Sequence, residues 1–583
     1  MVAAMRHVAD CASGTCFVPE LGAYGGWVAH PGSHAERQCR SLEARHTSLL
    51  FCGECFVDPG PQCSLAERYE VLGAGFAASL NGLFSGLLLD RARGRALLFN
   101  DRYGGERLYV AEEAGALYFA SEAKALLSVL PALRAFDDVG VAQYLAFGTT
   151  LGERTLFKGI ARLPGGSLWR AAPGCATQKS RYFSPAAWEA LPPLPADEWE
   201  SCFAQAFGRV LPAYAQGDRP VGLSLTGGLD TRMILACLPK GAQPQVTYTY
   251  TGSDQRLLDV RIARRVAAAR GLPHHALQLG PEFLHDFGRH VDRTVYLTDG
   301  AAGALAAHEI PLSTMAGALA PIRLTGNFGS EVLRSMSTFK RLHLDTQLFD
   351  RDLSALVQAQ VDEQRATRAH PVTRAAFEEI PWHLFGTWAA ARSVLTVRTP
   401  FLDNEVVALA YRAPEALRQS SAAALRLIQD ADPALAAIPT DRGLRAEAAG
   451  GAQWGSRLFC ALTFKLDYWH KEGLPDRLSW LDPLLTPRLA PLGLHKFLPY
   501  RLWFRRELAS YLGEVVDDPS TRRMPWWNAD PLRRLVPDHV AGRRNGLREI
   551  AAVLSLASVQ RTLLSPQAWA SEPQHELPAR MQA

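Results

Sequence analysis

Lysine is nearly missing from this chain: eight occur in 583 residues, although Lys and Arg together number 62. Positive charge is therefore carried by arginine. No Gly-Lys pair exists anywhere, which excludes a phosphate loop of the Walker type. Charge of one sign is also lacking, because 62 basic residues face 58 acidic ones for a net of +4. Spread over such a length, that balance implies no nucleic-acid partner. Apolar runs of ~18 residues are absent, so no spanning helix and no membrane partner are expected. The first residues hold no apolar stretch of signal length, and a cytoplasmic location is the expectation. Cysteine is dilute at ten residues, too few for a disulfide scaffold. Cys52-Gly-Glu-Cys55 has metal-ligand spacing, but only Cys39 and Cys63 stand near it; reduced thiols are the main reading and zinc the lesser one.

What is there is globular: 48% of residues are hydrophobic and 21% charged, which excludes a disordered or collagenous chain. Up to about residue 190 the chain reads as short strands and turns. Leu87 to Asp90, Ala96 to Phe99, Arg107 to Val110 and Ala116 to Phe119 are apolar runs separated by turn chemistry. Helical stretches fall at Ser64–Ser79 and Val139–Phe147. The Pro-rich segment Pro185 to Pro195 marks a boundary, giving domains 1–190 and 197–583. In the second, strands at Pro220 to Leu225, Val246 to Tyr250, Ala276 to Leu279 and Pro321 to Leu324 alternate with helices, which predicts a parallel sheet flanked by helices. Ligands of such sheets bind beyond the carboxyl ends of the strands, here after Leu225, Tyr250 and Leu324. Beyond Ala375 the chain reads as mostly helical, with connecting turns at Pro483 to Tyr500.

One strand-to-helix turn carries chemistry. In Leu225-Thr226-Gly227-Gly228-Leu229-Asp230-Thr231-Arg232, two glycines let the backbone turn tightly and present amides to an anion at a helix start. Thr226 and Thr231 add hydroxyls. Asp230 would repel a phosphate but suits a Mg²⁺ ion that itself binds phosphates. A plain Gly-rich, Asp-capped helix start is the alternative.

The segment 226–231 resembles the Ser-Gly-Gly-Leu-Asp-Ser pyrophosphate loop of the asparagine synthetase superfamily. Asp259, Ala263, Val266-Ala267 and Gly271-Leu-Pro-His274-His275 resemble its second element. Val397-Arg-Thr-Pro400-Phe401-Leu402-Asp403 is similar to its Val-Pro-Phe-Leu-Asp segment, and the stretch around His539, Gly542 and Asn545 to its closing helices. Asn81-Gly-Leu-Phe84, Asp101-Arg-Tyr-Gly104, Phe119-Ala-Ser-Glu-Ala-Lys124, Leu156-Phe-Lys-Gly-Ile160 and Leu163-Pro-Gly-Gly166 resemble segments of its glutaminase-type domain. The resemblance implies an α/β chain: an α+β layered sandwich of the glutaminase type, then a doubly wound parallel-sheet ATP-pyrophosphatase domain with a helical C-terminal part.

Three departures stand out. Val2 occupies the place of the nucleophilic cysteine of glutamine-hydrolysing members, and their glutamine-binding segments are not recognisable between Arg40 and Gly60; an inactive glutaminase shell is expected. Next, the motif Thr-Gly-Tyr-Gly-Ser-Asp reads here as Thr325-Gly326-Asn327-Phe328-Gly329-Ser330-Glu331. With one residue inserted, Glu331 retains the metal-binding carboxylate; ungapped, Ser330 replaces it. The first register is the expectation, with Asp230 and Glu331 as Mg²⁺ ligands. Last, no lysine occurs from Arg341 to Thr463, so Arg442 is expected to supply the charge that stabilises the leaving pyrophosphate, with Lys465 as runner-up.

The resemblance thus implies an ATP- and Mg²⁺-dependent amide-bond ligase that adenylates a carboxylate for attack by ammonia or a substrate amine. The turn from Leu225 to Arg232 with Gly326 would hold the phosphates, and the backbone at Leu225 and Tyr250 the adenine. Catalytic roles fall to Asp230, Glu331, Arg442 and Lys465. A peptide or small-molecule cyclase of the lasso or β-lactam type, and an inactive homologue serving as scaffold, are the alternatives. The partners are a small-molecule or peptide carboxylate with ammonia or an amine; homo-oligomerisation stays open.

Overall fold

Strands covered on both faces lose their polar alternation, and the N-terminal part is built on such a sheet. The computed structural model describes residues 1–8, 10–29, 42–44, 46–56, 65–252, 257–367, 369–445, 451–473, 495 and 498–569. Strands β1 (Ala12–Val18) and β2 (Ala23–Ala29) form an antiparallel hairpin. There follow β3 (Leu42–Ala44), β4 (Thr47–Cys55), β5 (Gly82–Asp90), β6 (Arg95–Asn100), β7 (Tyr109–Glu113), β8 (Ala116–Ala120), β9 (Ala161–Arg162) and β10 (Leu168–Ala171). An antiparallel sheet has the order β10-β6-β5-β4-β3, and a smaller one the order β8-β7-β9. Side chains alternate across the larger sheet. Leu49, Phe51, Leu88, Leu97 and Phe99 meet Tyr69 and Phe76 of helix α1 (Leu65–Leu72) and its continuation. Leu50, Leu87 and Leu89 meet the hairpin, and Leu98 the smaller sheet. The result is the layered α+β sandwich. Helix α2 (Ala123–Val129) follows β8. The helix expected over Ser64–Ser79 is α1 with a 3-10 extension, Gly73–Ser79. Its first residue, Cys39, Cys63 and most of Pro483–Tyr500 lie outside the described residues.

The Pro-rich joint is packed. Trp188 of the short helix Ala186–Glu189 is buried against Tyr103, Phe183 and Tyr411. Helix α3 (Ala196–Ala215) then leads into β11 (Val221–Ser224), β12 (Val246–Thr251), β13 (His274–Gln278), β14 (Ile322–Thr325) and β15 (Thr396–Arg398). All pair in parallel, in the order β13-β12-β11-β14-β15. The crossovers carry α4 (Asp230–Cys237), α5 (Leu258–Ala269), α6 (Phe287–Leu297) and α7 (Gly329–Arg334); α8 (Asn404–Tyr411), α9 (Gly451–Glu472) and α10 (Leu547–Val559) follow. Helix α10 is buried at every residue but Arg548, as a mostly apolar helix in a core must be, and Ser558 ties it to Asp292 of α6 at 2.6 Å. No helix among the described residues is long and apolar enough to cross a membrane.

Polar groups buried between the two parts lock them together. The Asp403 carboxylate accepts from Asn81 Nδ2 at 2.7 Å and Tyr214 Oη at 3.0 Å, and caps α8 through the Glu405 amide at 2.9 Å. Asn404 returns the contact, its amide donating to Asn81 Oδ1 at 2.9 Å. Asp299, buried, accepts from the amides of Ala123 and Lys124 at 2.8 and 3.0 Å and so caps α2 from the other domain. Arg398 forks onto Glu54, and Arg392 pairs with Glu106. Asp403→Ala leaves Asn81 and Tyr214 without their acceptor and removes a helix cap, for an expected loss of about 3 kcal/mol. Urea unfolding measures it, and a loss under about 1 kcal/mol would show that this contact does not hold the domains.

Candidate functional site

The β11–β14 register sets Ser224 opposite Thr325, so the turns after these strands leave the sheet side by side. In the first turn the amides of Thr226, Gly227 and Gly228 are already engaged. Thr226 N donates to Thr231 Oγ1 at 3.3 Å, Gly228 N to Thr226 Oγ1 at 3.2 Å, and Gly227 N to Asp259 Oδ1 at 2.7 Å. A side chain at Gly227 would meet Asp259 Oδ1 at 2.8 Å and Asp441 Cβ at 3.1 Å. Burial, then repulsion by Asp441, pushes the Asp259 carboxyl up to about 6. A carboxyl group thus stands where an anion would meet the turn. The second turn closes onto the first without side chains between. A Cβ at Gly326 would lie 2.6 Å from Thr231 N, and one at Gly329 2.7 Å from Asp230 Cγ. Phe328 between them takes a left-handed backbone (φ 76°), strain for a non-glycine residue, and its buried ring packs 4.9 Å from Trp388.

Asp230 opens α4 and faces α7. Arg334 Nη2 donates to Asp230 Oδ2 at 3.0 Å, Arg334 Nη1 stands 2.9 Å from Oδ1, and Ser330 Oγ donates to Oδ2 at 2.7 Å. This corrects the expected register: the hydroxyl of Ser330, not the carboxylate of Glu331, meets Asp230. Successive helical residues diverge by about 100°, so both cannot face one partner. Glu331 is nonetheless near. Burial, with the charges of Asp230 and Glu379, pushes its carboxyl up to about 7 against the opposing pull of Arg334. Mg²⁺ needs ionised oxygen ligands held open toward it. Here the Asp230 carboxylate is taken by the Arg334 guanidinium and the Ser330 hydroxyl, so as they stand these residues do not fit a Mg²⁺ ion bridged by Asp230 and Glu331.

Other expected site residues take different positions. Arg232 is 1% exposed and bonds the carbonyls of Leu435, Ile438, Pro439 and Gly227. It is an anchor for the following loop, not a phosphate ligand, because burial leaves no face open to an anion. Leu225 spends its amide on Tyr248 O at 2.8 Å and its carbonyl on Thr249 Oγ1 at 2.6 Å, so its amide cannot grip adenine. Leu229 is buried beneath the turn. Tyr250 holds its hydroxyl toward Ser313 and Arg323, at 3.4 and 3.3 Å. The loop that carries Arg442 docks on the turn, Asp441 N donating to Gly227 O at 3.1 Å, and the Arg442 guanidinium lies 3.8 Å over the Phe464 ring. Lys465, on α9, is exposed with its ammonium 5.3 Å over Trp469. Arg334, Asp441 and the capping role of Asp259 escaped sequence reasoning. For Arg334 a signal existed, since positions 330 and 334 share a helix face. Among the described residues no group of three His, Cys, Asp or Glu side chains could hold a metal ion, Cys52 and Cys55 included.

Between the two parts lies a cavity of about 1430 Å³ whose wall includes Val2, Cys52, Glu54, Glu106, Arg392 and Arg398. The Cys52 thiol donates to Glu106 at 3.5 Å.

A sandwich locked to a parallel sheet, with a Gly-Gly turn at the end of its central strand, defines a two-domain α/β protein of the amidotransferase-plus-synthetase kind. Residues 63–183 match the family model of the glutamine amidotransferase domain and residues 203–429 that of asparagine synthase. The chain belongs to the asparagine synthetase superfamily. It is 26% identical over 247 residues to a Mycobacterium bovis protein provisionally named a glutamine-hydrolysing asparagine synthetase, covering 40% of this chain and 37% of that one. It is 25% identical over 210 residues to asparagine synthetase 1 of Bacillus subtilis, covering 35% and 32%. The match thus spans about a third of these relatives' length. A solved glutamine phosphoribosylpyrophosphate amidotransferase from B. subtilis aligns at 9% identity and a TM-score of 0.22, over 48% of this chain and 87% of that one; so low a score supports no conclusion.

The raised Glu331 carboxyl predicts a pH signature. Its folded pKa of about 7 exceeds the ordinary 4.5, so the folded form keeps a proton that the unfolded chain has lost. That contribution is whole below pH 4.5 and is lost as pH rises through 7. Relative to wild type, Glu331→Gln should gain on the order of 2–3 kcal/mol between these limits, at about 1.4 kcal/mol per unit. Denaturant midpoints across that range test it, and parallel profiles would refute the shift.

Proposed function

We propose that this protein is an ATP-dependent amide-bond ligase that forms AMP and pyrophosphate. A substrate carboxylate oxygen attacks the α-phosphorus of ATP, the bond to the β-phosphate breaks, and pyrophosphate leaves. Ammonia or a substrate amine then attacks the acyl carbon, loses a proton and displaces AMP. The observation that carries the reading is the Thr226–Thr231 turn at the end of the central parallel strand, inside the residues matched to asparagine synthase. Turn amides and a helix start favour an anion there, once the Asp259 carboxyl is neutralised or displaced from Gly227. Arg442, on the loop docked to Gly227 O, takes the role expected of the absent lysine; exposed Lys465 is not assigned one.

The nitrogen source is proposed to be ammonia or an amine, not hydrolysed glutamine. A side chain at Gly26 would touch Val2 Cγ2 at 2.6 Å, so an aliphatic group, not a thiol, fills that corner of the cavity. The nearby Cys52 thiol is turned to Glu106, which Arg392 already binds. Glutamine should release no glutamate above a blank, whereas ammonia or an amine should support turnover.

Product analysis with panels of carboxylic acids and amines tests the main reading: AMP and pyrophosphate are expected, and ADP with phosphate would overturn it. Asp230→Asn should lower turnover about 100-fold, the scale of misplacing a group by about 1 Å, because Arg334 loses the carboxylate that positions it beside the turn. It should also cost stability, because Arg334 loses its counter-charge.

A further inference from the structure

The side-chain cluster on Asp230 already contains a cation. Arg334 is one helical turn beyond Ser330 on α7, and its Nη2 donates both to Asp230 Oδ2 at 3.0 Å and to Ser330 Oγ at 2.6 Å. The Ser330 hydroxyl closes the triangle onto Oδ2 at 2.7 Å. The guanidinium side chain is 10% exposed and the carboxylate 16%. Gly326 and Gly329, with no room for a Cβ, press the two turns together and fix the carboxylate in place. Nη1 stands 2.9 Å from Oδ1, yet is buried with no hydrogen-bond partner.

We propose that Arg334 is the resident counter-ion of Asp230, standing where a divalent ion would otherwise be held, and that the site takes a nucleoside triphosphate without requiring a metal ion on Asp230.

The charge arithmetic supports the exchange. Two carboxylates around a divalent ion are neutral together, and so are one carboxylate and one guanidinium; Ser330 in place of a second acid makes the smaller cation sufficient. Geometry supports it too, since a fork on a carboxylate is the strong form of this pair and a metal ion reaching Asp230 must first displace it. Guanidinium recognises planar and tetrahedral oxyanions alike and stays charged at any working pH.

This inference rests on the ATP reading above, and its test separates the two. ATP binding to the full chain is measured by titration calorimetry in excess MgCl₂ and in excess EDTA. Wild type is expected to bind with dissociation constants within about threefold of each other, and Arg334→Gln to become at least about tenfold weaker in EDTA than in Mg²⁺. Arg334→Lys, which keeps the charge but not the fork, should fall between. Titration of the nucleotide-free wild type with MnCl₂, followed by the paramagnetic resonance of free Mn²⁺, should show no ion taken up, while Arg334→Gln gains a site that Asp230→Asn removes. A wild type that loses about tenfold or more in EDTA, or that binds Mn²⁺ through Asp230, overturns the inference and leaves the ligase reading standing. ATP that binds in neither buffer overturns the ligase reading and this inference with it. Should Arg334→Gln fail to fold, the two wild-type measurements decide alone.

Discussion

The parallel pairing of β11 with β14 is the constraint on which the site depends. It places Ser224 beside Thr325, and both chains leave the sheet into a helix from adjacent points. Each turn then needs glycine where the other approaches. Gly326 yields to Thr231 and Gly329 to Asp230, while Gly227 makes room for Asp259 and Asp441 from elsewhere in the domain. The strained Phe328 is held in this crossing by Trp388. A sheet with one strand between them would separate the turns by about another 5 Å and leave Asp230 without partners.

Electrostatics at the crossing follow from burial. Asp259 and Glu331 are both pushed toward neutrality because they lose water and face other carboxylates. Asp230 meets a guanidinium and a hydroxyl. An incoming polyanion therefore encounters few bare negative charges, although acidic residues surround the turn. The same economy operates between the domains: Asp403, Asp299, Glu54 and Glu106 each lie against donors from the other part. Buried carboxylates so placed make the domain joint specific, since removing either partner leaves a desolvated charge.

Much of the fold was legible locally. The strands at β5, β6 and β8 and the alternation around β11 to β14 follow from short apolar runs cut by turn residues. The hairpin and β3–β4 were not resolved, because Gly-rich or mixed strands such as Ala23–Ala29 carry no clean period. The Pro-rich segment reads as a boundary, yet Trp188 within it is buried; proline marks a chain turn and says nothing of what the turn packs against. Motifs that resembled separate family segments proved to be one contact, Asn81 with Asp403 and Asn404.

By itself the sequence determined the Gly-Gly turn, its place after an apolar strand, and Asp230 as the first residue of a helix, since each depends on neighbours within a few positions. Only the tertiary structure decided what those groups face. Helical phase turned Ser330, not Glu331, toward Asp230. Burial made Arg232 an anchor for carbonyls more than 200 residues away, and sheet pairing consumed the Leu225 amide. Arg334 reached a carboxylate 104 residues earlier. A charged side chain finds its partner through the register of strands distant in sequence, and that register is set by the packing of the whole sheet, not by local spacing.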